Sequence, residues 1–219
     1  MKLGVYIHGS SPFFPKESFE EYKRLTTYYE NIGINTLWFA DHLIRTPDPN
    51  KSAIFETWSL IAGLSTITSK IKFGTMVTPI TYRNIGVFAK MISSVDHMSK
   101  GRLIVGLGTG WYDKEHQMFN IDYPDLKLRF SLLEDYIQGL IELWLKDGPI
   151  NFHSDTIKLR NAYLNPKSFQ KPYPPILIGG SGEKKTLLLV AKYANMSNFG
   201  GDNKNIQDKL KVLEKHCND

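Results

Sequence analysis

The chain has 219 residues, of which 42% are hydrophobic and 22% are charged, and its formal net charge is +5. This composition excludes a disordered chain and allows a substantial core in one large domain or two small ones. Charges of both signs are intermixed along the sequence, so nucleic-acid binding is not expected. The one cysteine, Cys217, excludes an internal disulfide and a cysteine metal site. Because the sequence shows no signal-peptide core and no bilayer-spanning run, we expect a cytoplasmic protein without a membrane partner.

Predicted strands and helices alternate from the beginning of the sequence. A strand at residues 3–7 precedes a helix that a capping box at residues 18–21 opens and Gly33 ends. A strand at residues 36–40 and a helix at residues 57–65 follow. This part of the chain has the pattern of two strand–helix units.

The middle of the chain continues the alternation. A third strand at residues 71–77 is stopped by residues 78–79. The next helix spans residues 84–98, and its apolar face is predicted to consist of Val87, Met91, Ile92, Val95 and Met98. A strand at residues 102–107 then leads to the longest amphipathic helix, which is predicted over residues 129–145.

The last part of the chain begins with an irregular excursion at about residues 147–174, where we expect a small hairpin. A strand at residues 176–178, a helix at 183–194, a weak strand at 196–199 and a helix at 205–216 follow. The alternation implies a parallel sheet covered by helices, which a doubly wound sheet and a (β/α) barrel both satisfy. About six units are visible and a closed barrel needs eight, so we expect an open sheet or a shortened barrel.

The most informative local pattern is the glycine-rich turn after the strand at residues 176–178. A turn between a strand and a helix aims backbone N–H groups at one point, where the helix dipole also favours negative charge. Lys184 and Lys185 add positive charge, and Thr186 adds a hydroxyl group. We predict a phosphate-binding turn; the alternative is a glycine cap that binds nothing. The turn consists of Gly179, Gly180, Ser181 and Gly182.

Polar residues at the carboxyl ends of the predicted strands are the next site candidates, because ligands bind there in both architectures. His42 is the best acid–base candidate, since imidazole titrates near neutrality and the neighbouring Asp41 could orient it. The alternative is a helix-capping Asp41 and a buried structural His42. His8 is expected to be structural, and Thr78 follows the third strand. The other histidines show no regular spacing to carboxylates, so no metal site is expected.

A second glycine-rich segment follows the fourth predicted strand. Gly106, Gly108 and Gly110 imitate a dinucleotide fingerprint, but the third glycine comes one residue early and Trp111 stands where helix packing requires a small residue. One interpretation is a turn that lets a flat ligand approach the backbone, with Trp111 or Tyr112 nearby. The other is a structural turn with an aromatic plug.

Taken together, several segments resemble the bacterial-luciferase-like monooxygenase family, in particular its branch that uses the deazaflavin coenzyme F-420. The resemblance implies one α/β domain over residues 1–219, a TIM-type (β/α) barrel of about six units whose last units are missing. We expect a truncated product, a fragment or a reduced family member. The segments occur in the family's order at residues 37–43, 73–79, 82–90, 94–102, 106–111 and 175–194, with Arg129 and the helix after it.

The resemblance also implies a site in the mouth of the barrel. The flat ring of the coenzyme would lie against a non-proline cis peptide between Met76 and Val77, and Asp41 and His42 would contact the ring as the catalytic pair. The phosphate of the coenzyme would lie at the turn formed by Gly179, Gly180, Ser181 and Gly182, and Gly108 and Gly110 would lie beside the ring. The residues implied to bind the coenzyme are Met76, Val77, Thr78, Gly108, Gly110, Gly179, Gly180, Ser181, Gly182 and Lys184.

The main functional expectation is an oxidoreductase that transfers a hydride between coenzyme F-420 and a small organic substrate. The alternatives are an FMN-dependent monooxygenase, a non-catalytic flavin-binding or interaction protein, and an isomerase or aldolase that acts on a phosphate substrate. The last would need a Lys or Glu at a strand end, and none is clearly offered. We also expect a homodimer through the helices at residues 57–65 and 84–98, whose apolar residues exceed one core face.

Overall fold

The computed structural model describes residues 2–7, 18–45 and 54–218, so His8 lies outside the described residues. Within these ranges, no helix is both long enough and apolar enough to cross a bilayer. The strands are β1 (Gly4–Ile7), β2 (Thr36–Phe39), β3 (Lys72–Thr75), β4 (Thr78–Pro79), β5 (Leu103–Gly108), β6 (Ile150–His153), β7 (Lys158–Ala162), β8 (Ile176–Gly179) and β9 (Met196–Asn198). The helices are α1 (Phe19–Asn31), α2 (Thr57–Thr66), α3 (Ile85–Met98), α4 (Asp113–Met118), α5 (Leu126–Leu145), α6 (Thr186–Tyr193) and α7 (Asn203–Asn218).

The main sheet is parallel, with the strand order β1-β2-β3-β5-β8-β9 and with β4 also paired to β5. Each strand lies beside the strand of the preceding unit, so the order never reverses. A doubly wound sheet reverses at its switch point, whereas a (β/α) barrel adds strands in sequence. The barrel interpretation is therefore confirmed. Among the described residues, β1 and β9 are the two ends of the strand order, and β6 and β7 form the expected separate hairpin.

The third strand is interrupted in its middle. β3 ends at Thr75, the peptide between Met76 and Val77 is cis, and pairing resumes in β4. The cis peptide was implied by the family resemblance and is confirmed. The prediction that Thr78 and Pro79 stop the strand is wrong, because these two residues pair with the last two residues of β5.

The two faces of the sheet are packed differently. The face toward the helices carries fully buried side chains such as Leu37 and Phe73, and burial of each such side chain contributes about 1.5–3 kcal/mol. On the opposite face the half-buried Trp38 lies across Gly4 and Gly74, where added Cβ atoms would lie 2.7 Å and 2.4 Å from its ring. Side-chain packing on both faces of the sheet fixes the strands and therefore the positions of their carboxyl ends.

Some local predictions are wrong in detail. Ser18 is the N-cap residue of α1, but its side chain makes no capping hydrogen bond. Val87 and Met98, predicted on the core face of α3, are 58% and 48% exposed. α5 begins three residues earlier than predicted, because the Asp125 carboxylate caps it by accepting a hydrogen bond from a backbone N–H of its first turn.

Candidate active site

A cleft of about 280 Å³ lies at the carboxyl ends of the parallel strands, where ligands of (β/α) barrels bind. Thr78 is buried but does not line the cleft, and the predicted residues Ser181, Gly182 and Lys184 are exposed and do not line it either. The predicted site residues that the structure brings onto the lining are Asp41, His42, Met76, Val77, Gly108, Gly110, Gly179 and Gly180. The other lining residues are Tyr6, Pro79, Thr109, Trp111 and Asn198.

His42 is oriented by a carboxylate from a distant part of the chain. Its Nδ1 lies 2.8 Å from Oε2 of Glu115, a fully buried residue of α4. The other oxygen of Glu115 accepts hydrogen bonds from the backbone N–H groups of Leu43 and Ile44. The neighbouring Asp41 is not this carboxylate, since neighbouring side chains on an extended segment point to opposite sides, and it bonds to Thr78 and Arg83 instead. Since Nδ1 is bonded to Glu115, Nε2 is the nitrogen left for a ligand.

Tyr82 completes the hydrogen bonding of Glu115, because its hydroxyl donates to the same oxygen that His42 contacts. Burial acts to raise the pKa of Glu115, but the hydrogen bonds from His42, Tyr82 and the backbone outweigh it and hold the pKa below the usual 4.5. Burial and the Glu115 charge together raise the pKa of Tyr82. Glu115 is therefore ionised at neutral pH.

The ionised Glu115 also makes stability depend on pH. Because its pKa in the folded state lies below 4.5, its contribution is fully present above about pH 4.5 and is lost as the pH falls through the folded-state value. We expect Glu115→Gln to lower the free energy of unfolding by about 2 kcal/mol at neutral pH and by less at an acidic pH below about 4.5, where the contribution of the carboxylate is being lost. Urea unfolding at both pH values measures this, with the exposed Glu20→Gln as control. An equal loss at both pH values would contradict the assignment.

Asp41 belongs to a buried polar network. Its carboxylate accepts two hydrogen bonds from the Arg83 guanidinium, at 2.7 Å and 3.1 Å, one from the Thr78 hydroxyl at 2.7 Å and one from the Trp58 indole at 3.1 Å. Arg83 also donates to Glu56, the N-cap of α2. Burial acts to lower the pKa of Arg83, but Asp41 and Glu56 outweigh it and raise the pKa. These contacts join β2, β4, α2 and the start of α3, so they favour a positioning role for Asp41 and Thr78.

The floor of the cleft depends on glycine at two facing positions. An added Cβ on Gly108 would lie 2.6 Å from Cγ2 of Val77, and one on Gly179 would lie 2.7 Å from Cγ1 of the same residue. Glycine therefore lets the Val77 side chain lie between β5 and β8. Gly110 has a φ of +78°, and Arg129 donates a hydrogen bond to its carbonyl, which fixes the next turn. The result is a flat surface of backbone and one apolar side chain.

We expect Gly108→Ala to displace Val77 and to weaken binding of a planar ligand on this floor. Overpacking of this kind costs about 1–3 kcal/mol of stability. Thermal unfolding and a ligand titration measure the two effects. Gly200→Ala is the matched control, because an added Cβ there meets no atom within 4 Å. Unchanged stability and ligand affinity in Gly108→Ala would show that the floor is not formed by this contact.

The last glycine turn differs in detail from the prediction. α6 begins at Thr186, three residues later than predicted. The Gly180 N–H donates to the Asn198 carbonyl at 2.9 Å, and the Leu187 N–H donates to the Gly182 carbonyl at 3.0 Å. Two of the amides that could face a phosphate are therefore used inside the fold. The polar side chains exposed on the loop are Ser181, Glu183, Lys184 and Lys185.

Sequence reasoning missed Glu115, Tyr82 and Arg83. Glu115 lies in a helix of six residues, too short for a periodic pattern, and the available signal was a charged cluster directly after a glycine turn at a strand end. Tyr82 and Arg83 directly precede Asn84, the N-cap of α3, at the end of β4. His116 is buried and both of its ring nitrogens are hydrogen-bonded, to a hydroxyl and to a backbone carbonyl, so its role is structural.

The strand order is that of a (β/α) barrel, and the cleft lies at the carboxyl ends of its strands. Residues 1–214 match the family model described as luciferase-like monooxygenase. The chain belongs to this family.

Known proteins similar to the chain include oxidoreductases and monooxygenases. It is 28% identical over 203 residues to the F-420-dependent glucose-6-phosphate dehydrogenase of Amycolatopsis mediterranei, which covers 91% of this chain and 56% of that protein. It is 28% identical over 195 residues to the pyrimidine monooxygenase RutA of Allorhizobium ampelinum, with 84% and 51% covered. The chain thus spans about half the length of these curated relatives.

Solved structures confirm the fold. An F-420-dependent secondary alcohol dehydrogenase in complex with an F-420–acetone adduct superposes with a TM-score of 0.86 at 18% sequence identity. The match covers 99% of this chain and 64% of that one. At 18% sequence identity, this structural similarity establishes the fold alone.

Proposed function

We propose that this protein is an oxidoreductase that transfers a hydride between coenzyme F-420 and a small organic substrate in the cleft. The observation that carries the proposal is His42 on the cleft wall, with the buried Glu115 carboxylate 2.8 Å behind it. Oxidation of an alcohol requires a base for the hydroxyl proton, and a histidine backed by a carboxylate is suited to that role. The F-420-dependent relative at 28% identity supports the same assignment.

The residues of the cleft fit a planar coenzyme. Gly108 and Gly179 keep the floor flat around Val77, because a Cβ on either would collide with that side chain. Met76 and Val77 would support the ring, and Lys184 with the Ser181 hydroxyl would hold the phosphate. When bound, a deazaflavin supplies the carbon that accepts or donates the hydride.

The protein residues move and hold the proton. Nε2 of His42 takes the hydroxyl proton of the substrate as the hydride leaves the adjacent carbon, and it returns the proton in the reverse direction. Glu115 stabilises the positive imidazolium through Nδ1, and Tyr82 keeps Glu115 in place. The ion pair of Asp41 with Arg83 holds the strand end from which His42 projects.

An FMN-dependent monooxygenase is the second candidate. The FMNH2-dependent dimethylsulfone monooxygenase of Pseudomonas putida is 27% identical to this chain over 126 residues, 58% of this chain and 34% of that protein. Such an enzyme would use the same floor and phosphate turn. A non-catalytic flavin-binding protein would use the same floor as well, but it would gain nothing from a carboxylate-backed histidine on the cleft wall.

Titration of the purified protein with coenzyme F-420 and with FMN, followed by absorbance and fluorescence, tests the proposal. We expect F-420 to bind more tightly than FMN and to be reduced when an alcohol is added. Tight FMN binding without F-420 binding would transfer the assignment to the monooxygenase class. The non-catalytic class would be favoured if a coenzyme binds but is not reduced by any alcohol tested, and if Glu115→Gln binds and reacts in the same way as the wild type.

We also propose a homodimer surface on α2 and α3. Val87 and Met98 of α3 and Ile67, the C-cap of α2, are 58%, 48% and 44% exposed. Exposed apolar side chains on neighbouring helices favour association. Light scattering is expected to give twice the mass of the chain, and a monomer at micromolar concentration would contradict the proposal.

A further inference from the structure

Trp111 is an exposed indole at the mouth of the cleft. Its side chain is 67% exposed, whereas Trp58 and Trp144 are 1% and 3% exposed. Tryptophan is among the side chains that gain most from burial, so an indole left open beside a ligand cleft marks a contact surface. Trp111 belongs to the cleft lining but has no part in the floor described above.

The ring of Trp111 is held beside the proposed acid–base residue. Its centroid lies 5.8 Å from that of His42, with the rings nearly perpendicular at 84°. Its centroid also lies 5.2 Å from that of Tyr112. Arg129 fixes the preceding turn through the carbonyl of Gly110. Trp111 and Tyr112 therefore form an aromatic wall of fixed position beside the His42 ring.

The remaining lining near Trp111 favours an uncharged ligand. Pro79, Met76 and Val77 present apolar surface. Among the described lining residues, Asp41 and His42 carry the acidic and basic groups, and the Asp41 carboxylate already accepts four hydrogen bonds. His42 is thus the ionisable side chain of this lining that can exchange a proton with a substrate oxygen, beside the neutral polar residues Thr109 and Asn198.

We propose that the substrate is an uncharged secondary alcohol, or the corresponding ketone, with an aromatic or alicyclic body that packs against Trp111. This inference rests on the proposed function. The substrate oxygen lies at Nε2 of His42; on oxidation the C–H bond breaks and its hydride passes to the coenzyme, while the O–H proton passes to His42. The alcohol becomes a ketone and the coenzyme is reduced by two electrons. Trp111 is a specificity-determining residue in this arrangement.

The kinetic test compares cyclohexanol, 2-propanol and glucose 6-phosphate as substrates of the F-420-loaded protein. We expect the largest kcat/KM with cyclohexanol. Trp111→Ala should lower kcat/KM for cyclohexanol by about 10-fold or more through KM, with a much smaller effect on 2-propanol, and Trp111→Phe should retain the preference. Replacement of the exposed Tyr163 by alanine is the control. A preference for glucose 6-phosphate, or an equal effect of Trp111→Ala on both alcohols, would overturn the proposal.

A binding test separates failure of this inference from failure of the proposed function. Saturation-transfer NMR with benzyl alcohol on the coenzyme-free protein needs neither coenzyme nor turnover. We expect transfer to the aromatic protons in the wild type and its loss in Trp111→Ala; equal transfer in both overturns the inference. Failure of the wild type to bind F-420 or FMN would contradict the proposed function. It would not affect the comparison of benzyl alcohol binding between the wild type and Trp111→Ala. Loss of coenzyme binding in Trp111→Ala would assign the indole to the coenzyme and overturn the substrate contact.

Discussion

Replacement of His42 by alanine is expected to lower kcat for alcohol oxidation by about 10²- to 10⁴-fold, the usual contribution of a general base. The reason is that Nε2 is the group positioned to take the hydroxyl proton, and Glu115 holds that nitrogen in place from behind. Affinity for the coenzyme should change little, because the floor at Val77 and the phosphate turn are untouched. Steady-state kinetics and coenzyme titration of the same preparation separate the two quantities.

The matched control for this prediction is His153→Ala, an exposed histidine on the hairpin, which should leave kcat unchanged. Glu115→Gln should lower kcat less than His42→Ala and should change its pH profile, because the neutral amide no longer stabilises the imidazolium. An unchanged kcat in His42→Ala would remove the proposed base and leave the cleft without a proton acceptor.

Replacement of Arg83 by methionine is expected to lower the free energy of unfolding by about 3–5 kcal/mol, because it leaves the Asp41 carboxylate buried and uncompensated. The side chain of Asp41 is completely buried and that of Arg83 is 11% exposed. Urea unfolding measures the change. Coenzyme affinity should fall as well, since the Asp41 network fixes the ends of β2 and β4 on the cleft.

Two further variants identify the cause of that loss. The double variant Arg83→Met with Asp41→Asn removes the unpaired charge and should recover part of the stability. Lys192→Met breaks the exposed pair between Lys192 and Glu134 and should cost less than about 1 kcal/mol. If Arg83→Met lowers the free energy of unfolding no more than Lys192→Met does, the stabilising role of the buried ion pair is contradicted.

The sequence is sufficient to predict the helices and strands and their order along the chain. It is not sufficient to predict which strands are neighbours in the sheet. Apolar runs and caps predicted the main strands and most helices, because these signals are local. The choice between a doubly wound sheet and a barrel depends on which strands are neighbours, and alternation alone is the same in both. The error at Val87 and Met98 has a related cause: α3 is apolar on more than one side, so its pattern does not identify the buried face.

The site residues also fall into those that local sequence identifies and those that only the fold brings together. The glycine turns and His42 were identified from local sequence, because each lies directly at a strand end. The partner of His42 was not, because Glu115 is 73 residues away and reaches it only after β5 is paired and α4 is formed. The sequence left open whether the neighbouring Asp41 bonds to His42, and the folded strand end directs Asp41 to Arg83. Exposure of Trp111 is likewise a property of the folded mouth and has no sequence signal.

A crystal structure of the protein soaked with coenzyme F-420 tests the central claim most directly. We expect density for a flat ring against Met76 and Val77, with its phosphate at the loop that follows Gly179 and its reactive carbon on the side of His42. Density for the coenzyme in the groove between the start of α5 and the β6–β7 hairpin, with an empty cleft at the strand ends, would contradict it.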